Sequence, residues 1–432
     1  MELCLRANTS QGLNDAELLE GITALLKAHP AQRVLILPPD YTRYHSKAGF
    51  IANACYHHYS ALGARVDILP TLGTHRAMTQ AEAADMFGDI PFERFFVHNW
   101  RTDVVSIGEV PGSFLSEISE GIWTEPIDVS INRRIMDEAY DLILSIGQVV
   151  PHEVIGMANH AKNLFVGAGG AEMINKSHML GALFGMERMM GRDYTPVRKM
   201  FDYALEHFLK QRPILFLLSV TTAPEGVTRT HGLFAGRERD ALEAAVALSQ
   251  QKNIDFVPRG LKKCVVYLDP AEFHSTWLGN KAIYRTRMAI ADGGELLILA
   301  PGIETFGEDA QVDALIRKYG YCGRQAVLEY FNQPNGADLR ANMGAAAHLI
   351  HGSSDGRFTV TYAVQPQMRK QVEDVHFQSA DVNELLTRYD PKSLTYGCNT
   401  LADGEEIFYI PNPALGLWID RERFLREGGT LQ

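Results

Sequence analysis

The chain is short of the features that would tie it to a membrane, a secretory route or a nucleic acid. Its longest apolar runs, VLIL at 34–37 and PILFLLSV at 213–220, are strand-length, whereas crossing a bilayer takes roughly 20 residues. The start, MELCLRANTS, has no basic segment followed by an apolar stretch, so no secretory signal is expected. Cysteine is sparse: Cys4, Cys55, Cys264, Cys322 and Cys398 are odd in number and widely scattered, which argues against a disulfide framework and a structural zinc site. Basic residues are outnumbered, 41 to 52, and the net charge of −11 leaves no concentrated basic surface for phosphate backbones. The chain also has no Walker loop, no HExxH helix, no Ser–His–Asp elbow and no low-complexity tract. A cytoplasmic, soluble protein with neither a membrane nor a nucleic-acid partner is expected.

What is present is an ordinary globular composition, 46% hydrophobic and 22% charged over 432 residues, enough for two or three domains. The first 72 residues alternate. NDAELLEGITALLKAH (14–29) has helical spacing behind an Asn at a plausible N-cap, RVLILPPD (33–40) reads as a buried strand, SKAGFIANACYHHYSALGA (46–64) as a helix and RVDILPTLG (65–73) as a second strand. AYDLILSIG (139–147) reads as a third strand. This rhythm predicts an α/β fold of two domains with mostly parallel sheets and an active-site cleft between them. The polar, Pro- and Gly-containing stretch QQKNIDFVPRGLKK marks the boundary, giving an N-terminal domain at 1–260 and a smaller one at 261–432. In the second, CVVYLDP (264–270), ELLILAP (295–301) and 357–364 read as strands. STWLGNKAIYRTRMAIA (275–291), 308–332 and 336–350 read as helices. The tail at 405–419 is strand-like and free to return to the first domain.

In parallel sheets, function gathers beyond the carboxyl ends of strands. Three strand ends here deliver Asp40, Arg43, His75 and His152 to what could be one rim. Each cluster has a structural alternative: Asp40 capping a helix with Arg43 paired to it, His75 as a hydrogen-bonded structural group. The most unusual stretch is PHEVIGMANHAKNLFVGAGGAEMINKSHML (151–180). Gly167, Gly169 and Gly170 permit tight turns and close backbone approach to an anion at a helix start, or form an ordinary glycine-rich connector. The GxGxxG dinucleotide form fails because position 172 is Glu. On the residues alone, the reading is an anion-binding polar cleft with several histidines.

The order of these clusters resembles the catalytic subunit of nickel-dependent lactate racemase and its wider family of 2-hydroxy-acid racemases and epimerases. The resemblance rests on Asp40-Tyr41-Thr42-Arg43 after a strand, on Gly73-Thr74-His75-Arg76, and on His152 followed ten residues later by Lys162 and sixteen after that by His178. Lys281 in WLGNKAIY completes the set, in order over about 240 residues. The resemblance implies a nickel-pincer nucleotide, a pyridinium-3-thioamide-5-thiocarboxylic acid mononucleotide, tethered through Lys162 with His178 as the protein ligand to nickel. The glycine run would help seat the mononucleotide. It further implies hydride removal from and return to C2, with His75 and His152 as general bases on opposite sides. Arg43 and Lys281 would hold the substrate carboxylate, and Asp40 would orient Arg43 or a histidine. Proteins that make the cofactor are the implied partners; the oligomeric state is left open.

Two departures bear on the substrate. An aromatic–Gln pair expected before the second-domain lysine reads Trp277 and Leu278, and a proline expected after Thr-Arg is replaced by Tyr44 and His45. Tyr44 and His45 suit a hydroxylated sugar acid; Trp277 and Leu278 suit an apolar side chain. Both point to a substrate larger than lactate. The alternatives are lactate racemase proper, a non-catalytic binder of small carboxylates, an NAD-dependent dehydrogenase lacking its glycine turn, and a zinc hydrolase.

Overall fold

The computed structural model describes residues 1–414 and 416–427. They form two compact units: Met1–Leu180 with Met189–Asn253, and Gly181–Arg188 with the chain from Ile254 onward. The first unit is built on a six-stranded sheet in the order Leu3–Arg6, Arg229–Gly236, Ile214–Thr222, Leu142–Gln148, Arg33–Leu37, Arg65–Ile68. The last four run parallel and the first two add antiparallel edges. The strands are almost continuously buried, as sheets covered on both faces demand.

Helix Asp15–Lys27 starts where the sequence indicates. The Asn14 side chain accepts the Glu17 N–H at 3.0 Å and the Glu17 carboxylate accepts the Asn14 N–H at 2.8 Å, a reciprocal cap. Its buried stripe of Leu18, Ile22, Leu25 and Leu26 packs with Ile51, Cys55 and Tyr59 of helix Ala48–Ala61 in one core with strand residues Val34, Ile36, Leu144 and Leu217. Each such side chain is worth about 1.5–3 kcal/mol of burial. A separate antiparallel pair, Val104–Val110 with Ile127–Asn132, has no counterpart in the sequence reading.

The second unit holds another six-stranded sheet, in the order Gln378–Asp381, Thr359–Val364, Ile290–Leu299, Leu261–Tyr267, Glu406–Ile410, Gly397–Thr400. It is parallel except at its last strand. The tail strand Glu406–Ile410 joins this sheet. Glu406–Ile410 pairs with Leu261–Tyr267 because Ile407 and Tyr409 complete the apolar face made by Val265, Leu297 and Leu299. Trp418–Asp420 pairs with Asp255–Val257, also of the second unit.

The helix expected at 275–291 is two short ones, Thr276–Gly279 and Lys281–Thr286, and the chain is already a strand by Ile290. Ser275 does cap the first, accepting the Leu278 N–H at 3.3 Å. The helix expected at 308–332 breaks into Ala310–Tyr319 and Arg324–Asn332 because Gly320 and Gly323 take φ of +67° and +95°. No helix among the described residues is long and apolar enough to cross a membrane.

Candidate functional site

Three parallel strands of the first unit end beside one another, and a single buried amide stitches their ends together. The Asn163 side chain donates to the Leu37 carbonyl at 3.1 Å and to Ser145 Oγ at 3.0 Å, and its oxygen accepts from Thr71 Oγ1 at 2.8 Å. A buried polar group satisfied on every side fixes its neighbours, and the neighbour here is Lys162. The following residues, Asn163–Gly167, form a π turn, a rare conformation that recurs at functional sites.

Lys162 is partly buried. Among the described residues its ammonium has no hydrogen-bond or ion-pair partner. Burial, with Arg43 next, pushes its pKa down to about 8. The segment before it is strained: Asn159 and His160 both sit at positive φ, +72° and +58°, which costs a non-glycine residue of order 1–3 kcal/mol. Arg198, 1% exposed, holds this turn by donating to the Met157 carbonyl at 2.6 Å and the Asn159 carbonyl at 3.2 Å. His160 is buried and lies on the Phe216 ring, centroids 3.9 Å apart.

Asp40 caps the turn after its strand, accepting the Thr42 N–H at 3.2 Å. Its other oxygen accepts from His75 Nδ1 at 2.6 Å. Burial alone would raise the Asp40 pKa, but the His75 and Thr42 hydrogen bonds outweigh it and lower it. Asp40 thus orients a histidine. Arg43, exposed, makes only a 3.5 Å approach to the Thr42 carbonyl, and no carboxylate pairs with it among the described residues. A planar guanidinium fork in that state is able to take a carboxylate. Tyr44 is 44% exposed beside Tyr41, and His45 Nδ1 lies 2.9 Å from the Thr228 hydroxyl.

His178, on helix Ala171–Phe184, donates Nδ1–H to the Ile174 carbonyl at 2.6 Å, leaving the Nε2 lone pair open. This is the arrangement that orients a metal-binding imidazole. His152 Nδ1 receives the Val154 N–H at 3.1 Å. Burial, then the charges of Lys162, Arg43 and His178, holds the His152 pKa well below the usual histidine range, against the opposing charge of Glu153. Burial also lowers that of His178, with Lys162 contributing. Asp40, Arg43, His75, His152, Lys162 and His178 therefore share one electrostatic neighbourhood. Lys281 and Trp277 belong to the second unit. There Lys281 stands 5.8 Å from the Phe273 ring centroid, and Trp277 stacks on His348 at 4.1 Å.

The glycine run has a different explanation from the one its sequence suggests. A Cβ on Gly167 would lie 2.6 Å from the Thr71 side chain, on Gly169 1.8 Å from the Phe165 carbonyl oxygen, and on Gly170 2.8 Å from Ser130. The Gly170 N–H is already given to the Ser130 carbonyl at 2.9 Å. A side chain at any of the three would clash, so packing alone requires these glycines. Glu153, Asn163 and Arg198 were missed by motif reasoning. The first two adjoin chosen residues, and Arg198 lies 36 positions beyond Lys162 with no local signal. Among the described residues no three His, Cys, Asp or Glu side chains form a metal cage, so a metal held by His178 would take its other ligands from a non-protein group.

Residues 20–191 match a family model described as the lactate racemase N-terminal domain. The fold is similar to that of a protein from Thermotoga maritima (TM-score 0.75, 24% identity, covering 96% of this chain and 99% of that one). It is also similar to the lactate racemase apoprotein from Thermoanaerobacterium thermosaccharolyticum (TM-score 0.67, 17% identity, covering 93% of this chain and 88% of that one). No curated protein matches by sequence.

Proposed function

We propose, from the match of residues 20–191 to the lactate racemase N-terminal domain, that the chain is an isomerase inverting C2 of a 2-hydroxy acid. The observation that carries the reading is the partly buried Lys162 amine, without a hydrogen-bond or ion-pair partner among the described residues and lowered to about 8, in the same electrostatic neighbourhood as an imidazole, His178, whose Nε2 has no hydrogen-bond partner among them. Lys162 is suited to tether a nickel-pincer nucleotide, since a lysine is nucleophilic only when neutral. His178 is suited to ligate the nickel. When bound, that group would supply the acceptor for the hydride leaving C2.

The rest is performed by the chain's own residues. Arg43 grips the substrate carboxylate through its unpaired fork. Asp40 fixes His75 so that Nε2 faces its task as a proton carrier, and His152 is the second imidazole for the substrate oxygen. A weakly acidic C–H makes simple deprotonation at C2 difficult, so proton handling falls on the hydroxyl. We extend the reading to an acid larger than lactate, which the exposed Tyr44 beside Arg43 supports. The reading requires proteins that make the cofactor. It also carries with it a cytoplasmic location, which five free thiols support.

The test incubates cofactor-loaded protein with lactate, malate, phenyllactate and gluconate-type acids and follows the configuration at C2. Inversion of one or more is expected. No inversion while mass spectrometry finds the cofactor on Lys162 would sink the assignment.

A further inference from the structure

The backbone at Lys162 is fixed after it by the Asn163 amide and before it by the first turn of another helix. Helix Pro196–Phe208 starts behind Thr195, whose hydroxyl accepts the Arg198 N–H at 3.1 Å and donates to the Ile155 carbonyl at 2.7 Å. The Arg198 guanidinium then takes the Met157 carbonyl at 2.6 Å and the Asn159 carbonyl at 3.2 Å, the latter from both terminal nitrogens. Carbonyls 155, 157 and 159 are alternate ones, the set that an extended chain presents on one side. The direction of the chain changes where this clamp ends. Asn159 and His160 take left-handed φ, and Lys162 is already helical at φ −58° and ψ −37°. Strand Leu142–Gln148 makes room for the corner: a Cβ on Gly147 would lie 2.0 Å from Asn159 Nδ2.

Arg198 is a costly donor for this task. It is 1% exposed, and no carboxylate pairs with it among the described residues. The two acids whose charges reach it, Asp202 and Asp193, are paired with Arg239 instead. Neutral donors could hold the same carbonyls without burying a charge. We infer that Arg198 is a positioning residue for Lys162: its fork fixes the corner that aims the tethering amine, and its permanent charge faces that amine. The inference rests on the reading of Lys162 as the tether. Around the amine, Arg43 and Arg198 disfavour the ammonium form, while Glu153 and Asp40 favour it. His152 and His178, with their pKa values lowered, face it uncharged at neutral pH. A guanidinium does not titrate, so Arg198 supplies its like charge at every working pH.

The test reads the amine in the apo chain. Trace acetylation with acetic anhydride over a pH series, followed by peptide mass spectrometry, compares Lys162 with the exposed Lys210. Arg198→Gln keeps one donor but loses the charge and the fork. The pH of half-maximal Lys162 reactivity should rise by about 1, and its rate at neutral pH relative to Lys210 should fall about tenfold. Arg198→Lys keeps the charge but not the fork and should fall between wild type and Arg198→Gln; it carries the test alone if the Gln variant does not fold. Leu26→Ala, in the apolar core of the same unit, should lower the melting temperature and leave the Lys162 profile where it was. Arg198 variants that melt earlier but keep the wild-type Lys162 profile would overturn the inference and leave Arg198 a structural clamp. Wild-type protein that never carries cofactor on Lys162 when supplied with it would overturn the tether reading instead, and the acetylation profiles would still decide what Arg198 does to the amine.

Discussion

In the second unit the Glu187 carboxylate accepts from Arg287 Nε at 2.7 Å and from Arg357 at 3.0 Å, while Arg287 Nη1 donates to the His351 and Ser353 carbonyls at 3.0 and 2.9 Å. Burial alone would raise the Glu187 pKa, yet the two guanidinium groups take it down to about 2. In the first unit Lys162 is also removed from water, but beside Arg43 and Arg198 and with no acid in hydrogen-bond reach, and its pKa falls to about 8. Both sites desolvate charge. One answers it with complete pairing, so its ions stay charged and hold structure. The other compensates its cation only in part, through the charges of Glu153 and Asp40, so the group is ready to give up its proton. Uncompensated burial is destabilising, and a protein keeps it where the altered reactivity is used.

Substitutions can break that contrast. Lys162→Met should remove the covalent cofactor entirely, read as unmodified mass under denaturing conditions with no turnover. The apo chain should become more stable, by on the order of 1 kcal/mol, because an unpaired ammonium leaves the interior. A chain destabilised by this change would mean that Lys162 is structural. Arg287→Met should have the opposite balance: up to about 3 kcal/mol lost in denaturant unfolding, since it leaves a buried carboxylate with Arg357 alone. Adding Glu187→Leu should recover much of that loss.

Titration sharpens the same contrast. Amine modification of Lys162 in the apo chain, followed by peptide mass spectrometry, should reach half its plateau rate near pH 8, against a usual lysine value of 10.5. At neutral pH it should run about 300-fold ahead of an ordinary lysine of equal accessibility. A lowered folded-state pKa on a base means that stability is gained as pH rises from about 8 toward 10.5. Glu187, whose pKa is also lowered on folding, has a slope of the same sign in a lower window. Its contribution is fully present above 4.5 and is lost as pH falls toward about 2, so Arg287→Met should flatten the acid limb of the stability curve. The smallest effect is expected from His45→Ala, which removes only a contact with the Thr228 hydroxyl and should shift stability by about 1 kcal/mol or less.

Much of this was open to a reader of the residues alone. The strands at 33–37, 65–68 and 142–148 announce themselves as apolar runs bounded by turns, and Asp40, His75 and His152 could be placed at or after such strand ends. Asn14 could be named as a cap because the cap lies within its own neighbourhood. The failures involve partners distant in sequence. The stretch 275–291 has helical spacing throughout but becomes a strand at Ile290, because pairing with Leu261–Tyr267 and Thr359–Val364 buries Leu296–Leu299 on both sides. That Gly167, Gly169 and Gly170 make way for Thr71, Phe165 and Ser130 was equally out of reach of the sequence.

Composition, hydrophobic period and motif order by themselves determined the two-sheet α/β plan and the list of residues that could carry chemistry, because those signals are written within ten or twenty neighbouring positions. Only the tertiary structure decided what each of those residues is prepared to do. The tautomers of His75 and His152 and the proton affinity of Lys162 depend on Asp40, Val154, Arg43 and Arg198. Hydrogen-bond direction and desolvation exist only once the chain has brought those groups within a few ångströms of one another.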